Sequence, residues 1–247
     1  MADFDSILQQ TFPGAVPKTD FVRGTFEALV SHGFTADNTI ACLAVCRDEV
    51  CHPTVVQVSE VWGEAFNFSS LAGMLFLGRA GFRAAHAHGP ADGGRQRFAY
   101  VVLAHIGLGR TGTIGECTRP GLPQLSHACG ALYALQRELA GGHLDFGFDR
   151  DDAEFSMLRR RMARALGWGK VPDLLELTEA AERVIVEDLE RMIGFTLDPA
   201  RADYAVLSGM LIHGPEQKSY VRPGVCYAVV NGKRVELTAG AGSGFGG

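Results

Sequence analysis

The sequence predicts an α/β fold: a mainly parallel central sheet flanked by helices, with an antiparallel edge. Three observations predict it. Apolar runs of strand length at residues 40–45 and 97–104 show no polar alternation, which is the pattern of strands buried on both faces. Stretches with helical spacing separate such runs, as in βαβ units. Late in the chain, residues 225–230 and 233–237 flank Asn231-Gly232, a pair suited to a tight hairpin turn, and this adds an antiparallel pair to the sheet.

The elements follow in order. Residues 20–31 read as a helix, because Phe21, Thr25, Ala28 and Leu29 share a face and Gly33 follows as a stop. Residues 40–45 form the first buried strand. Pro53 breaks the chain before a helix over 55–62, and 71–76 is expected to be the next strand. Residues 78–90, rich in Gly, Ala and His, read as loop and helix. The run 97–104 is the clearest strand, with a polar start and β-branched and aromatic residues. Gly107, Gly109, Gly112, Gly115 and Gly121 mark a turn or hairpin inserted before a helix over 129–139, which stops at Gly141-Gly142. A charged surface helix is expected within 149–164. The longest helix covers 173–193, with Leu174, Leu177, Ala181, Ile185, Leu189 and Met192 as its apolar stripe. Residues 204–212 form a late strand. No linker divides the chain, so 1–238 reads as one domain and the Gly-rich 239–247 as a flexible tail.

Length and charge narrow the function classes. A chain of 247 residues can bury about 70% of its unfolded surface. The formal charge of −5 is spread over both signs, with no basic tract to bind nucleic acid. No run of about 18 apolar residues predicts a membrane span. The acidic start, with Asp3 and Asp5, does not read as a signal peptide. The expected compartment is the cytoplasm, or an organelle stroma for a form that has lost a transit peptide. In such reducing surroundings the six cysteines serve as ligands, nucleophiles or core filler rather than as a disulfide framework.

Three residues stand at the ends of expected core elements. Cys46 directly follows the first strand, His105 directly follows 97–104, and Cys129 opens a helix. Ligands of open parallel sheets gather beyond the carboxyl ends of the strands, and a helix N-terminus favours thiolate. Two thiolates and an imidazole can hold Zn2+ with one coordination position left over, the composition of a catalytic site. No Cys-x-x-Cys pair is present, and the bland reading is a buried cysteine, a loop histidine and a helix-capping cysteine with no connection. His127 is an alternative ligand to His105, whereas His86 and His88 read as loop residues. Cys42 and Cys226 read as core; Cys51 reads as packing, with a fifth site residue as the alternative; Cys117 is open. Arg47 and Asp48 form either a surface ion pair or a working pair, with the guanidinium holding the carboxylate off the metal.

A wider resemblance rests on Ile40-Ala41-Cys42-Leu43-Ala44-Val45-Cys46-Arg47-Asp48-Glu49, Ser70-Leu71-Ala72-Gly73-Met74, Gly78-Arg79-Ala80-Gly81-Phe82, His105-Ile106-Gly107 and Ser126-His127-Ala128-Cys129-Gly130-Ala131-Leu132. In order and spacing, over residues 12–237, these resemble the limiting-CO2-inducible protein B family of algal carbon-concentrating systems, also called theta-type carbonic anhydrases. The resemblance implies a β-carbonic-anhydrase-like fold, zinc on Cys46, His105 and Cys129, Asp48 as acidic partner, and a homodimer with the site near its interface. The implied reaction is reversible hydration of carbon dioxide to bicarbonate, in a small apolar pocket expected to be lined by Leu71, Met74 and Phe82. Two departures matter. The wider β-type pattern Cys-x-Asp-x-Arg has Val50 in place of its arginine, so Arg47 is the expected partner of Asp48. A glycine-rich insertion also separates His105 from Cys129, where the β-type has His-x-x-Cys. Two other classes stay open: a silent zinc-stabilised scaffold or bicarbonate-responsive partner, closed by Asp48 or His127, and a metal-free hydrolase with Cys129 as nucleophile.

Overall fold

The computed structural model describes residues 3–122, 124–167 and 171–238; the tail expected at 239–247 lies outside the described residues. From the N-terminus the chain forms α1 (Phe4–Thr11), β1 (Val16–Pro17), α2 (Lys18–Val30), β2 (Thr39–Ala44), α3 (His52–Trp62) and β3 (Ala65–Asn67). It continues through α4 (Gly78–Ala87), β4 (Ala91–Asp92), β5 (Arg95–Gly107), β6 (Glu116–Cys117), β7 (Ser126–His127), α5 (Gly130–Gly141) and α6 (Ala153–Leu166). It ends with α7 (Leu174–Thr196), β8 (Ala202–His213), β9 (Ser219–Val230) and β10 (Lys233–Glu236).

The main sheet has the order β1-β9-β8-β5-β2-β3, with β10 on β9 and β4 on β5. Its working half, β3-β2-β5-β8, is parallel. Beyond β8 the sheet turns antiparallel through β9, β1 and β10. The central strands β5 and β8 are buried along nearly their whole length, which is why their sequences do not alternate. Helix α7 lies over β5 and β8 and gathers α4, α5 and α6 around it, while α2 and α3 pack together against β2, β8 and β9. A capping box between Asp173 and Glu176 starts α7, and all six residues of its expected stripe are buried. The Asn231-Gly232 turn has φ of 51° and 74°, as the hairpin requires. No helix among the described residues is long and apolar enough to cross a membrane.

Residues 71–76 are not a strand. The strands parallel to β2 are β3 and β5, and Leu71–Gly73 instead make a single 3-10 turn. Gly73 has φ +75°, and a Cβ there would sit 3.0 Å from the Leu103 carbonyl and 3.5 Å from the Cys46 nitrogen. Glycine therefore lets this turn close directly onto the carboxyl ends of β2 and β5, where Cys46 and His105 emerge. The apolar run is buried all the same, with Ala72, Met74 and Leu75 inside the core.

Candidate metal centre

Backbone geometry converges the three strand-end and helix-start residues. Cys46 lies just past β2 in a parallel bridge to Ser70. His105 lies near the end of β5, and Cys129 is the N-cap of α5, with Tyr133 N–H bonded to its carbonyl at 2.9 Å. The insertion that separates His105 and Cys129 in sequence brings them together in space. Gly107 N donates to the Ala128 carbonyl (3.0 Å), Ala128 N to Gly115 (3.0 Å) and Gly115 N to Gly107 (2.8 Å). A Cβ at Gly107 would collide with the Glu116 carbonyl, so only glycine lets the insertion fold back on β5 here.

The sulfurs of Cys46 and Cys129 are 3.8 Å apart. A ring nitrogen of His105 and both sulfurs lie within 4.8 Å of one another, and all three residues are buried. His105 Nδ1 faces His213 Nε2 at 3.1 Å, while its own Nε2 is buried with no hydrogen-bond partner among the described residues. A buried nitrogen without a hydrogen-bond partner, on a ring that approaches two sulfurs, is a costly arrangement for hydrogen bonding and a suitable one for a metal ligand. The electrostatics agree. The hydrogen bond between the two sulfurs pulls the Cys46 thiol well below its ordinary value against the opposing effect of burial, which favours a thiolate there. The same bond and burial push Cys129 up. Burial disfavours a charged His105, yet the sulfurs of Cys129 and Cys51 push it well up, so the site favours a cation at this point. The donor set fits zinc, being two soft sulfurs and one imidazole.

Asp48 stands beside this cluster without joining it. Its Oδ1 accepts from Arg119 Nη1 at 2.5 Å and from Val50 N at 3.3 Å, and its Oδ2 from Arg119 Nη2 at 2.8 Å. Arg119 also bonds Glu49, the Ser126 hydroxyl (2.7 Å) and the His127 carbonyl (3.0 Å), so each of its five N–H donors has an acceptor. Burial alone would raise the Asp48 carboxyl; the Arg119 guanidinium overrides it and holds the group at about 2. The expected partner, Arg47, points elsewhere. It is largely exposed, pairs with Glu154 at 2.8 Å and donates to the Ser69 carbonyl at 3.3 Å. Arg119 lies 71 residues beyond Asp48 in the glycine-rich insertion, out of reach of any local motif.

Other expectations sort themselves by contact. An open cleft of about 530 Å³ reaches the centre, lined by Cys46, Arg47, Asp48, Glu49, Leu71, Arg119, Gly130 and Ala131. Of the three expected pocket residues only Leu71 lines it; Met74 and Phe82 are fully buried, Phe82 against Phe68 and Tyr100. His127 is turned away and stacks on Tyr133, with centroids 4.1 Å apart. His86 is a core residue bonded to the Tyr100 hydroxyl at 2.6 Å, and His88 packs against Phe66. Cys42 and Cys226 are buried within their strands, with thiols pushed up by burial. Cys51 lies 3.7 Å from His213 Nε2, and with His105 and His213 it makes a second cluster that shares His105 with the first. His213 ends β8 as His105 nearly ends β5. The strand-end rule that selects His105 also selects His213, one residue past the expected end of its strand.

A largely parallel sheet, with two cysteines and a histidine that could hold a metal at the carboxyl ends of its strands and an arginine-clamped carboxylate beside them, has the make-up of a β-carbonic-anhydrase-like protein. Residues 15–230 match the family described as limiting CO2-inducible proteins B/C beta carbonic anhydrases, and the chain belongs to it. Among solved structures, the chain is similar to limiting CO2-inducible protein LCIB, at 32% identity and a TM-score of 0.77, over 94% of this chain and 97% of that one. It is also similar to PtLCIB4, a homolog of LCIB, at 22% identity and a TM-score of 0.81, over 94% and 98% of the two chains; that likeness is one of fold. No curated protein matches the sequence.

Proposed function

We propose that the chain is a zinc-dependent carbonic anhydrase that hydrates carbon dioxide reversibly to bicarbonate and a proton. On this reading residues 1–238 act as one domain within a homodimer. The observation that carries the proposal is the three-residue cluster of Cys46, His105 and Cys129, its imidazole Nε2 unpartnered, beside a carboxylate engaged by another residue. A scaffold would use a fourth protein ligand, and the two residues considered for that role are occupied: Asp48 by Arg119 and His127 by Tyr133.

Held by Cys46, His105 and Cys129, zinc would supply a Lewis acid that acidifies water near neutral pH. The residues around it do the rest. The Arg119 guanidinium holds the Asp48 carboxyl below the usual carboxylate range, which suits it to accept a hydrogen bond from the attacking water rather than to store its proton. That bond aims an oxygen lone pair at the carbon of carbon dioxide, as a C–O bond forms and one C=O π bond opens. Arg119 keeps Asp48 pointed and off the metal through two parallel hydrogen bonds. Leu71, Gly130 and Ala131 give the cleft its apolar wall for an uncharged substrate. The released proton leaves through the same open cleft.

Metal content and 18O exchange measured on one sample test the proposal. One zinc per chain with exchange activity is expected, and both should be lost in Cys129→Ser. Stoichiometric zinc in Cys129→Ser would show the ligand set to be wrong. Zinc without exchange in the wild type would leave the silent scaffold, and activity that survives chelation would leave the cysteine hydrolase.

A further inference from the structure

His105 and His213 sit on neighbouring parallel strands. The register sets His105 opposite Leu211, and His213 lies two residues further along, so both side chains project from the same face of the sheet. Both are buried, and their rings meet edge to face at 5.2 Å. His213 Nε2 lies 3.1 Å from His105 Nδ1, and His213 Nδ1 lies 3.4 Å from the hydroxyl of Ser219, its cross-strand partner on β9. Cys51 approaches the same Nε2 only to 3.7 Å, so the histidine pair is the shorter contact.

We propose that His213 is the positioning residue of the metal centre: its Nε2 accepts the Nδ1–H of His105 and fixes the tautomer that leaves His105 Nε2 bare for the metal. The inference rests on the zinc reading above and deepens it. A neutral imidazole carries one proton. On Nε2 that proton would block the metal and bury an unpartnered N–H, since Nε2 has no acceptor. On Nδ1 it needs an acceptor, and His213 Nε2 is in place. His213 must then carry its own proton on Nδ1, facing the Ser219 hydroxyl. The bonds thus run in one direction, from His105 through His213 to Ser219.

The choice of partner has a chemical consequence. Metal-bound histidines are commonly held by carboxylates or carbonyls. A carboxylate here would add negative charge to a centre that already has two thiolates, and would weaken its hold on a hydroxide. A neutral imidazole orients His105 without that charge.

The test uses the full chain and zinc alone as probe. In the 15N spectrum of histidine-labelled, zinc-loaded protein, His105 and His213 should both be protonated on Nδ1. A proton on Nε2 of either overturns the assignment. His213→Leu keeps the bulk but removes the acceptor, and should weaken zinc binding about 10–100-fold in chelator competition. His213→Gln, whose Oε1 accepts, should stay within about threefold of wild type. Unchanged affinity in a folded His213→Leu, or equal losses in the two variants, would overturn the proposal. If His213→Leu does not fold, the wild-type spectrum decides. Zinc that persists in Cys129→Ser is a different failure: it removes the ligand set itself, and this inference with it.

Discussion

Arg119 makes no contact with the cluster residues by hydrogen bond or ion pair, yet it determines what Asp48 can do. Two variants separate it from Arg47. Arg119→Leu should retain zinc and lose about 100-fold or more of carbon dioxide hydration, the scale of a lost orienting group. Arg47→Ala should stay near wild type, because an exposed ion pair such as that with Glu154 is worth only about 0–1 kcal/mol. The reverse pattern in 18O exchange would restore Arg47 as the partner of Asp48. Asp48→Asn keeps the shape and one acceptor oxygen but loses the charge, so zinc should stay bound while hydration falls about 100-fold or more. Full activity in that variant would remove Asp48 from the mechanism and leave the zinc site untouched. At this scale the sequence was legible where chemistry followed chain position. The clustering of Cys46, His105 and Cys129 could be anticipated because each sits at the end of an element, and the place of Asp48 because it lies two residues from Cys46. Arg119 could not, because its pairing depends on how a 15-residue-scale glycine insertion folds back, which no local pattern encodes. His213 was within reach of the same strand-end argument and was missed only because the strand runs one residue further than its apolar pattern.

Two elements hold the centre's framework, and each can be challenged. The 3-10 turn Leu71–Gly73 presses on the ends of β2 and β5 through a glycine with positive φ. Gly73→Ala should cost about 2 kcal/mol in urea unfolding, from strain in the left-handed region together with a tight contact to the Leu103 carbonyl. A loss below a few tenths would mean that the turn shifts freely. At the opposite end of the sheet, Asp203 at the start of β8 bonds Arg95 at 2.7 Å and the Asn231 amide at 2.7 Å, and so ties β5 to the β9–β10 hairpin. Burial would raise the Asp203 carboxyl, but the hydrogen bond from Arg95 overrides it and holds the group below its ordinary value. A depressed folded value stabilises above the unfolded carboxylate value, about 3.9, and the gain is lost as pH falls through the folded value. Asp203→Asn should therefore cost about 2 kcal/mol at pH 7, and the gap to wild type should close below about pH 4. A gap independent of pH would refute the ionic explanation. Within residues 71–76, expected as a strand, the chain folds as a turn for a physical reason. A continuous apolar run fits a buried strand and a buried turn equally, and only Gly73, inside the run, marked the difference.

At the scale of the whole molecule, the fold class was the most legible feature, because burial on both faces leaves unbroken apolar strands and Asn231-Gly232 names its own turn. The proposed homodimer was less so. The Gly- and Ala-rich stretch 73–87, which invited it, is partly used within the chain: Phe82, Ala85 and His86 of α4 are buried, and α4 packs on α7. Sedimentation at micromolar concentration should still give a dimer, and a monomer would remove that part of the proposal. The sheet also orders events in time. Strand β5 lies between β2, made well before it, and β8, whose residues pair with it from about a hundred positions later, Gln96 with Ala202. Such distant pairing is slow to form. On the ribosome, Cys46, His105 and Cys129 all emerge while one edge of β5 is bare, and that edge is an open template for wrong partners until β8 arrives. On the zinc reading proposed above, metal capture would belong to the last stage of the chain's birth: a nascent protein halted before β8 would carry Cys46, His105 and Cys129 and still lack the strand that braces them.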